Sequence, residues 1–140
     1  MNKSTPPSGS AIDHVHIHVA DRRASEVWYA RVLGFTRMKE REFWAVGGGP
    51  LTIQNTDGTI HIALFERHPT ENHSTIALKV NADEYLNWRI HLAQELDEPP
   101  KSEDHEVSLS LYFKDLDGNP YEITTYEHAA VRRAINASAA

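Results

Sequence analysis

Apolar and polar residues alternate strictly along "DHVHIHVAD", residues 13–21. In a strand this puts Val15, Ile17 and Val19 on one face and His14, His16 and His18 on the other. A second stretch, "STIALKV" at 74–80, alternates in the same way with Ile76, Leu78 and Val80 on its apolar face. Each strand is followed by a segment with helical spacing. After the first comes "ADRRASEVWYARVLGF", with Asp21 as cap, Ala24, Val27, Trp28 and Val32 as the apolar stripe and Gly34 as the stop. After the second comes "ADEYLNWRIHLAQEL", with Leu86, Ile90, Ala93 and Leu96 as the stripe. Strand-like pieces complete each half: "FTRMKE", "EFWAVGG" and "TIHIALFE" in the first, "VSLSLYF" and "PYEITTYE" in the second. "EPPKSEDHE" reads as a loop or a poor edge strand, and "KDLDGN" as a turn. Both halves therefore read β-α-β-β-β.

The halves align at a spacing of 61 residues, which places Val15, Ile17 and Val19 on Ile76, Leu78 and Val80. The same spacing on the closing strands places Ile62 on Ile123 and Phe65 on Tyr126. Neither half has enough core to stand alone. The expected fold is α+β: two βαβββ modules, about 11–68 and about 73–128, forming a shared, partly closed sheet cleft with helices outside. Residues 1–10, "MNKSTPPSGS", read as a flexible leader without an apolar signal core, and 129–140 as a tail able to form a short helix.

With the apolar faces under the helices, the other faces line the cleft. They carry His14, His16 and His18, then Thr75, Ala77 and Lys79, then His61, Ala63 and Phe65, and finally Glu122, Thr124 and Tyr126. The repeat makes His14, Thr75, His61 and Glu122 convergent positions. Three of these four can bind a metal. His73, two residues before Thr75, shares its face one pleat away.

Composition narrows the chemistry. The chain has 140 residues, no cysteine, nine histidines and a net charge of -6. Thiolate sites are excluded, so any ion must be held by nitrogen and oxygen. An acidic chain is a poor match for nucleic acid. No apolar run is long enough to span a membrane, and a cytoplasmic location is expected by default. "GGG" at 47–49 lacks the continuation of a phosphate loop, and "DLDGN" lacks the later glutamate of a calcium loop. Trp28, Tyr29 and Trp88 read as helix-face core residues. His68, His91, His105 and His128 read as surface residues.

"IDHVHIHVADRRASEVWYARVLGF", followed later by "LYFKDLDGNPYEITTYE", resembles the vicinal-oxygen-chelate superfamily of glyoxalases, extradiol dioxygenases, and fosfomycin- and bleomycin-resistance proteins. The resemblance covers residues 11–127. It implies a divalent metal ion (iron, manganese, zinc, nickel or cobalt), a small substrate that chelates it through adjacent oxygens, and a homodimer. It places metal ligands at His14 and Glu122. A histidine usual on the opening strand of the second half is replaced here by Thr75, which leaves His61, His73 or both to complete the set. His16 is expected to shuttle a proton. Tyr112 matches a tyrosine near the site in extradiol dioxygenases. His18, Thr75, Phe65, Thr124 and Tyr126 are expected to line the substrate pocket. The activities implied are a glyoxalase-type lyase or an extradiol-type dioxygenase. The alternative is a metal-free binding protein for a cationic antibiotic, of the bleomycin-resistance type.

Overall fold

The computed structural model describes residues 5–139. The leader's residues 5–10 are exposed and without regular secondary structure, while 1–4 lie outside the described residues. The element order is β1 (Val15–Val19), α1 (Arg22–Trp28), β2 (Thr36–Arg37), β3 (Leu51–Gln54), β4 (His61–Glu66), β5 (Ile76–Lys79), α2 (Ala82–Glu95), β6 (Lys101–Asp104), β7 (Leu109–Lys114), β8 (Pro120–Thr125) and α3 (His128–Ala139). The strands form two four-stranded mixed sheets, ordered β1-β4-β3-β2 and β5-β8-β7-β6. In each, the opening strand runs parallel to the closing one at the sheet edge. The architecture is the expected α+β pair of modules.

Local chemistry sets the helix ends. The Asp21 side chain accepts from the Ala24 amide, and Asn81 with Glu84 forms a reciprocal capping box on α2. α1 continues as one π-helical turn over Tyr29–Leu33, which ends at Gly34 in the left-handed conformation, φ 72°. The π turn swings the helix face. Ser25, Trp28, Tyr29, Val32 and Leu33 are buried, whereas Val27 of the expected stripe is 63% exposed.

Two further expectations differ from the structure, and two open ones are decided by it. "EFWAVGG" is not a strand. Lys39–Trp44 is a 3-10 turn whose aromatic side chains face outward, and the third strand is "LTIQ" at Leu51–Gln54. Its apolar residues Leu51 and Ile53 enter the core, which Phe43 and Trp44 do not. On α2 the fully buried positions are Ala82, Tyr85 and Leu92. Leu86, Ile90 and Ala93 instead face α3 across a groove. The C-terminal tail forms α3, whose Val131 is buried. "KSED" within the doubtful loop is the edge strand β6.

One buried polar network joins the modules. The Asp115 carboxylate at the β7–β8 turn accepts from the Tyr29 hydroxyl at 2.6 Å and the Asn119 side-chain amide at 2.8 Å, and from the backbone amides of Asp117 and Asn119 at 2.9 Å each. Tyr121 hydroxyl lies 2.8 Å from that of Tyr29. Asn119 also donates to the His18 carbonyl at 3.2 Å, and Asn72 donates to the Asn119 side-chain oxygen at 2.9 Å. The "DLDGN" turn is thus a turn, as expected, and also the clasp between the two sheets. Burial pushes both Tyr29 and Tyr121 phenols far above their ordinary value.

Candidate functional site

Alternation on β1 directs the three histidines away from the core, and all three are exposed. His14 Nδ1 lies 2.7 Å from Asp13 Oδ2. A carboxylate only accepts, so the proton sits on Nδ1 and Nε2 is the bare, accepting nitrogen. His16 Nε2 lies 2.9 Å from His14 Nε2 and must therefore be the donor in that contact. The hydrogen bond from His14 is the main cause holding the Asp13 carboxyl below its usual range, with the charges of His61 and Arg41 adding to it. Behind His16 stands Phe65 of β4, ring centres 4.6 Å apart, and His18 meets the same ring edge-on at 6.4 Å. A small cavity of about 70 Å³ is lined by Asp13, His14, Met38, Arg41, Trp44, Pro50, Thr52, His61 and Ala63.

The second module carries its own cluster. Ser110 Oγ donates to Glu122 Oε2 at 2.8 Å, across the β7–β8 pair. Ser110 also lies 3.1 Å from the Thr124 hydroxyl. Tyr112, directly opposite Glu122 in the ladder, has its hydroxyl 3.0 Å from His105 Nε2. Loss of solvent raises the Tyr112 phenol above its ordinary value, and the nearby Glu122 charge adds to the effect. Tyr126 is 63% exposed, with Lys79 Nζ 5.7 Å from its ring centre.

Between the facing edges of β1 and β5 lies a groove of about 480 Å³. It is lined by His16, His18, Thr70, Glu71, Asn72, Thr75 and Asn119, among others. His73 points elsewhere: its side chain is 81% exposed and lies 3.3 Å from Glu71. The chain thus brings together His14, His16 and His61 in one module, and Glu122, Tyr112 and Thr124 in the other. Among the described residues, no group of three or more histidine and carboxylate side chains is placed to hold an ion.

The repeat arithmetic needs one correction. His16 pairs with Ala63, and Ala77, its mate 61 residues on, pairs with Glu122. Ala63 and Glu122 are 59 residues apart, not 61. The structural mate of Glu122 is therefore Ala63, and His61 corresponds to Pro120. His61 instead lies level with His14, one step before the Val15–Ile62 pair.

Sequence reasoning passed over Asp13, Ser110, His105, Asn119 and Arg41. Asp13 and Ser110 had a visible signal. One directly precedes the first histidine, and the other has the strand parity of Tyr112.

Residues 11–123 match the family model of the Glyoxalase/Bleomycin resistance protein/Dioxygenase superfamily. The chain belongs to this vicinal-oxygen-chelate superfamily. No curated protein matches it in sequence. Similar solved structures include a mutant of the fosfomycin resistance protein FosX from Listeria monocytogenes, complexed with Mn(II) and dihydroxypropylphosphonic acid. That likeness has a TM-score of 0.67 at 15% identity, covering 88% of this chain and 97% of that one. A glyoxalase/dioxygenase from Nostoc punctiforme gives 0.66 at 18% identity, covering 90% and 98%. An integron cassette protein from a Halifax Harbour sewage outfall gives 0.66 at 16%, covering 83% and 98%. At such identities the likeness is one of fold.

Proposed function

We propose that this superfamily member is a cytoplasmic, metal-dependent enzyme acting on a small substrate that offers two adjacent oxygens to a divalent ion. The observation that carries the reading is the Asp13–His14 pair, in which a carboxylate fixes the imidazole with Nε2 bare, so that an ion would take the place of the His16 N–H there. His14 and Glu122 are the principal ligands, joined by His61, with His73 as the other candidate. This nitrogen and carboxylate set suits iron, manganese, zinc, nickel or cobalt. The Mn(II) in FosX supports the same class of ion. The bound ion supplies Lewis-acid and templating chemistry. His16 carries a proton on Nε2 toward the site, and Tyr112 orients the substrate with its hydroxyl. His18, Thr75, Phe65, Thr124 and Tyr126 flank it.

With His14 beside the first sheet, Glu122 on the second and no three-ligand group among the described residues, the reading favours a homodimer in which the first module of one copy faces the second module of the other. A metal-free binding protein for a cationic antibiotic is favoured by Thr75 in a ligand position and by the net charge of -6.

Metal analysis of tag-free protein, with isothermal titration, separates the two. We expect one ion per site in the wild type, and loss of it in His14→Ala and in Glu122→Ala with the fold retained by circular dichroism. Mixing these two variants restores about half of the sites in each mixed dimer if the halves come from different copies. His61→Ala, His73→Ala and the double variant decide the third ligand. Stoichiometric metal in both His14→Ala and Glu122→Ala refutes the assignment. A wild type without metal leaves the antibiotic-binding reading.

A further inference from the structure

Between β2 and β3 the chain makes a rim. From Met38 to Pro50 it passes through the 3-10 turn and sets Met38, Arg41 and Trp44 beside the cavity that holds His14 and His61. The rim is fixed from behind. Arg22 donates to Gly49 O at 2.7 Å and to Ala45 O at 3.2 Å, and Arg67 donates to Gly48 O at 3.2 Å. The segment also folds tightly on itself, since a Cβ on Gly49 would stand 1.8 Å from the Trp44 carbonyl oxygen. Yet its apolar side chains are left outside: Trp44 is 45% and Phe43 65% exposed. The tethered backbone thus displays an aromatic ring, Trp44, at the mouth of the cavity.

Arg41 supplies the polar half. The arginines that flank the rim, Arg22, Arg37 and Arg67, all donate to protein oxygens. Arg41 has no side-chain hydrogen bond or ion pair among the described residues. Its guanidinium carbon lies 4.9 Å from the Trp44 ring centre. Stacked in this way, a guanidinium keeps its in-plane N–H groups available for a planar oxyanion. The cavity's one carboxylate, Asp13, is already engaged by His14, which leaves Arg41 as the unengaged charged side chain of the lining.

Size limits what enters. About 70 Å³ is less than half of the roughly 150 Å³ that accommodates benzene, and about twice the liquid volume of a water molecule. A carboxylate-sized head group fits and a ring does not. We infer that the first module binds the oxyanion end of a small acid with an apolar body: Arg41 pairs with the oxyanion beside His14, and the body lies on Trp44 and Met38. This rests on the function proposed above for the role of His14, and it narrows the substrate to a compact oxyanion, such as a 2-hydroxy carboxylate, on an aryl or alkyl group.

The test is calorimetric titration of the purified full-length protein, metal-loaded and chelator-treated, with mandelate, phenylphosphonate and the neutral 1-phenyl-1,2-ethanediol. Arg41→Gln is expected to weaken anion binding at least tenfold and to leave the diol unchanged. Trp44→Ala weakens all three, and Trp44→Phe recovers most of the loss. Comparison of mandelate with phenylphosphonate tells which oxyanion is preferred. Metal content is the same in Arg41→Gln and wild type, so a failed metal site and a failed Arg41 site give different results. Anion binding that depends on Arg41 in protein unable to hold metal keeps this inference and refutes the metalloenzyme reading. Absence of anion binding in the wild type overturns the inference, as does equal affinity in Arg41→Gln. A Trp44→Ala variant that dissociates in sedimentation while binding mandelate normally also overturns it, because the rim is then a contact between copies.

Discussion

The clasp between the modules makes a graded prediction. Asp115 is buried, makes no ion pair among the described residues, and its carboxylate is held by four donors. Tyr29 gives its one proton to Asp115 at 2.6 Å, so in the 2.8 Å contact with Tyr121 the donor must be Tyr121. The two hydroxyls are therefore unequal. Tyr29→Phe removes a hydrogen bond to a charged group, about 1.5–3 kcal/mol, and also leaves the buried Tyr121 hydroxyl without a partner, for a total of about 2–4 kcal/mol. Tyr121→Phe removes only a neutral pair, about 0.5–1.5 kcal/mol. Neither change opens a cavity. For a domain of this size, Tyr29→Phe should lower Tm by on the order of 10 °C. Once the Tyr29 hydroxyl is gone, the second deletion has little left to remove, so the double variant should match Tyr29→Phe alone. Urea unfolding followed by circular dichroism measures all three. Equal costs for the two single variants, or strict additivity in the double, would refute the donor order and the description of Asp115 as a carboxylate held by donors.

Two further predictions concern stability and the rim. The Arg37 guanidinium, in a two-pronged pair at 2.8 Å, holds the Glu26 carboxyl below its ordinary value near 4.5. A depressed carboxyl stabilises above that ordinary value, and the benefit is lost as pH falls through the folded-state value. Glu26→Gln should therefore flatten the acid side of the stability curve below about pH 4.5, as read by urea midpoints between pH 3 and 7, and an unchanged slope would count against the pair. Gly49→Ala drives a methyl group into the Trp44 carbonyl, so it should cost about 1–3 kcal/mol and weaken mandelate binding without altering metal content; unchanged mandelate affinity would mean that the rim adapts freely.

Much of the fold was legible because period-2 alternation is a local signal. β1 and β5 lie where the apolar parity of "HVHIHV" and "STIALKV" puts them, and Asp21 and Gly34 mark helix ends through side-chain and backbone chemistry that needs no tertiary context. Failures occurred where tertiary context chose between local options. "EFWAVGG" is as apolar as a strand, but its aromatics furnish the rim of a cavity, while the short "LTIQ" enters the sheet. The α2 stripe was misplaced because Leu86 and Ile90 line a groove toward α3, with Ile90 still 59% exposed, while Ala82, Tyr85 and Leu92 face the core. The π turn after α1 has no composition signature, and it alone decides that Tyr29 reaches Asp115.

The site shows the same division more sharply. Strand parity depends on counting by ones, and on β1 and β5 burial alternates as it predicts, whereas on β4 and β8 Ala63 and Thr124 of the outward face are buried as well. Depth along the cleft depends on register, and register is set by pairing that the sequence does not display. A slip of two residues preserves every face and moves a side chain by one pleat, about 6–7 Å. The spacing of 61 on the opening strands becomes 59 on the closing ones, which is such a slip. An ion is held at about 2.0–2.2 Å by nitrogen and oxygen, so one pleat is three times the bond length that matters. The residue opposite His16 is Ala63, too small to coordinate anything, and His61 is carried back to stand beside His14. The proposed ligands His14 and His61 therefore stand level at one end of the first sheet, while Glu122 stands on the second, a placement that parity alone does not fix.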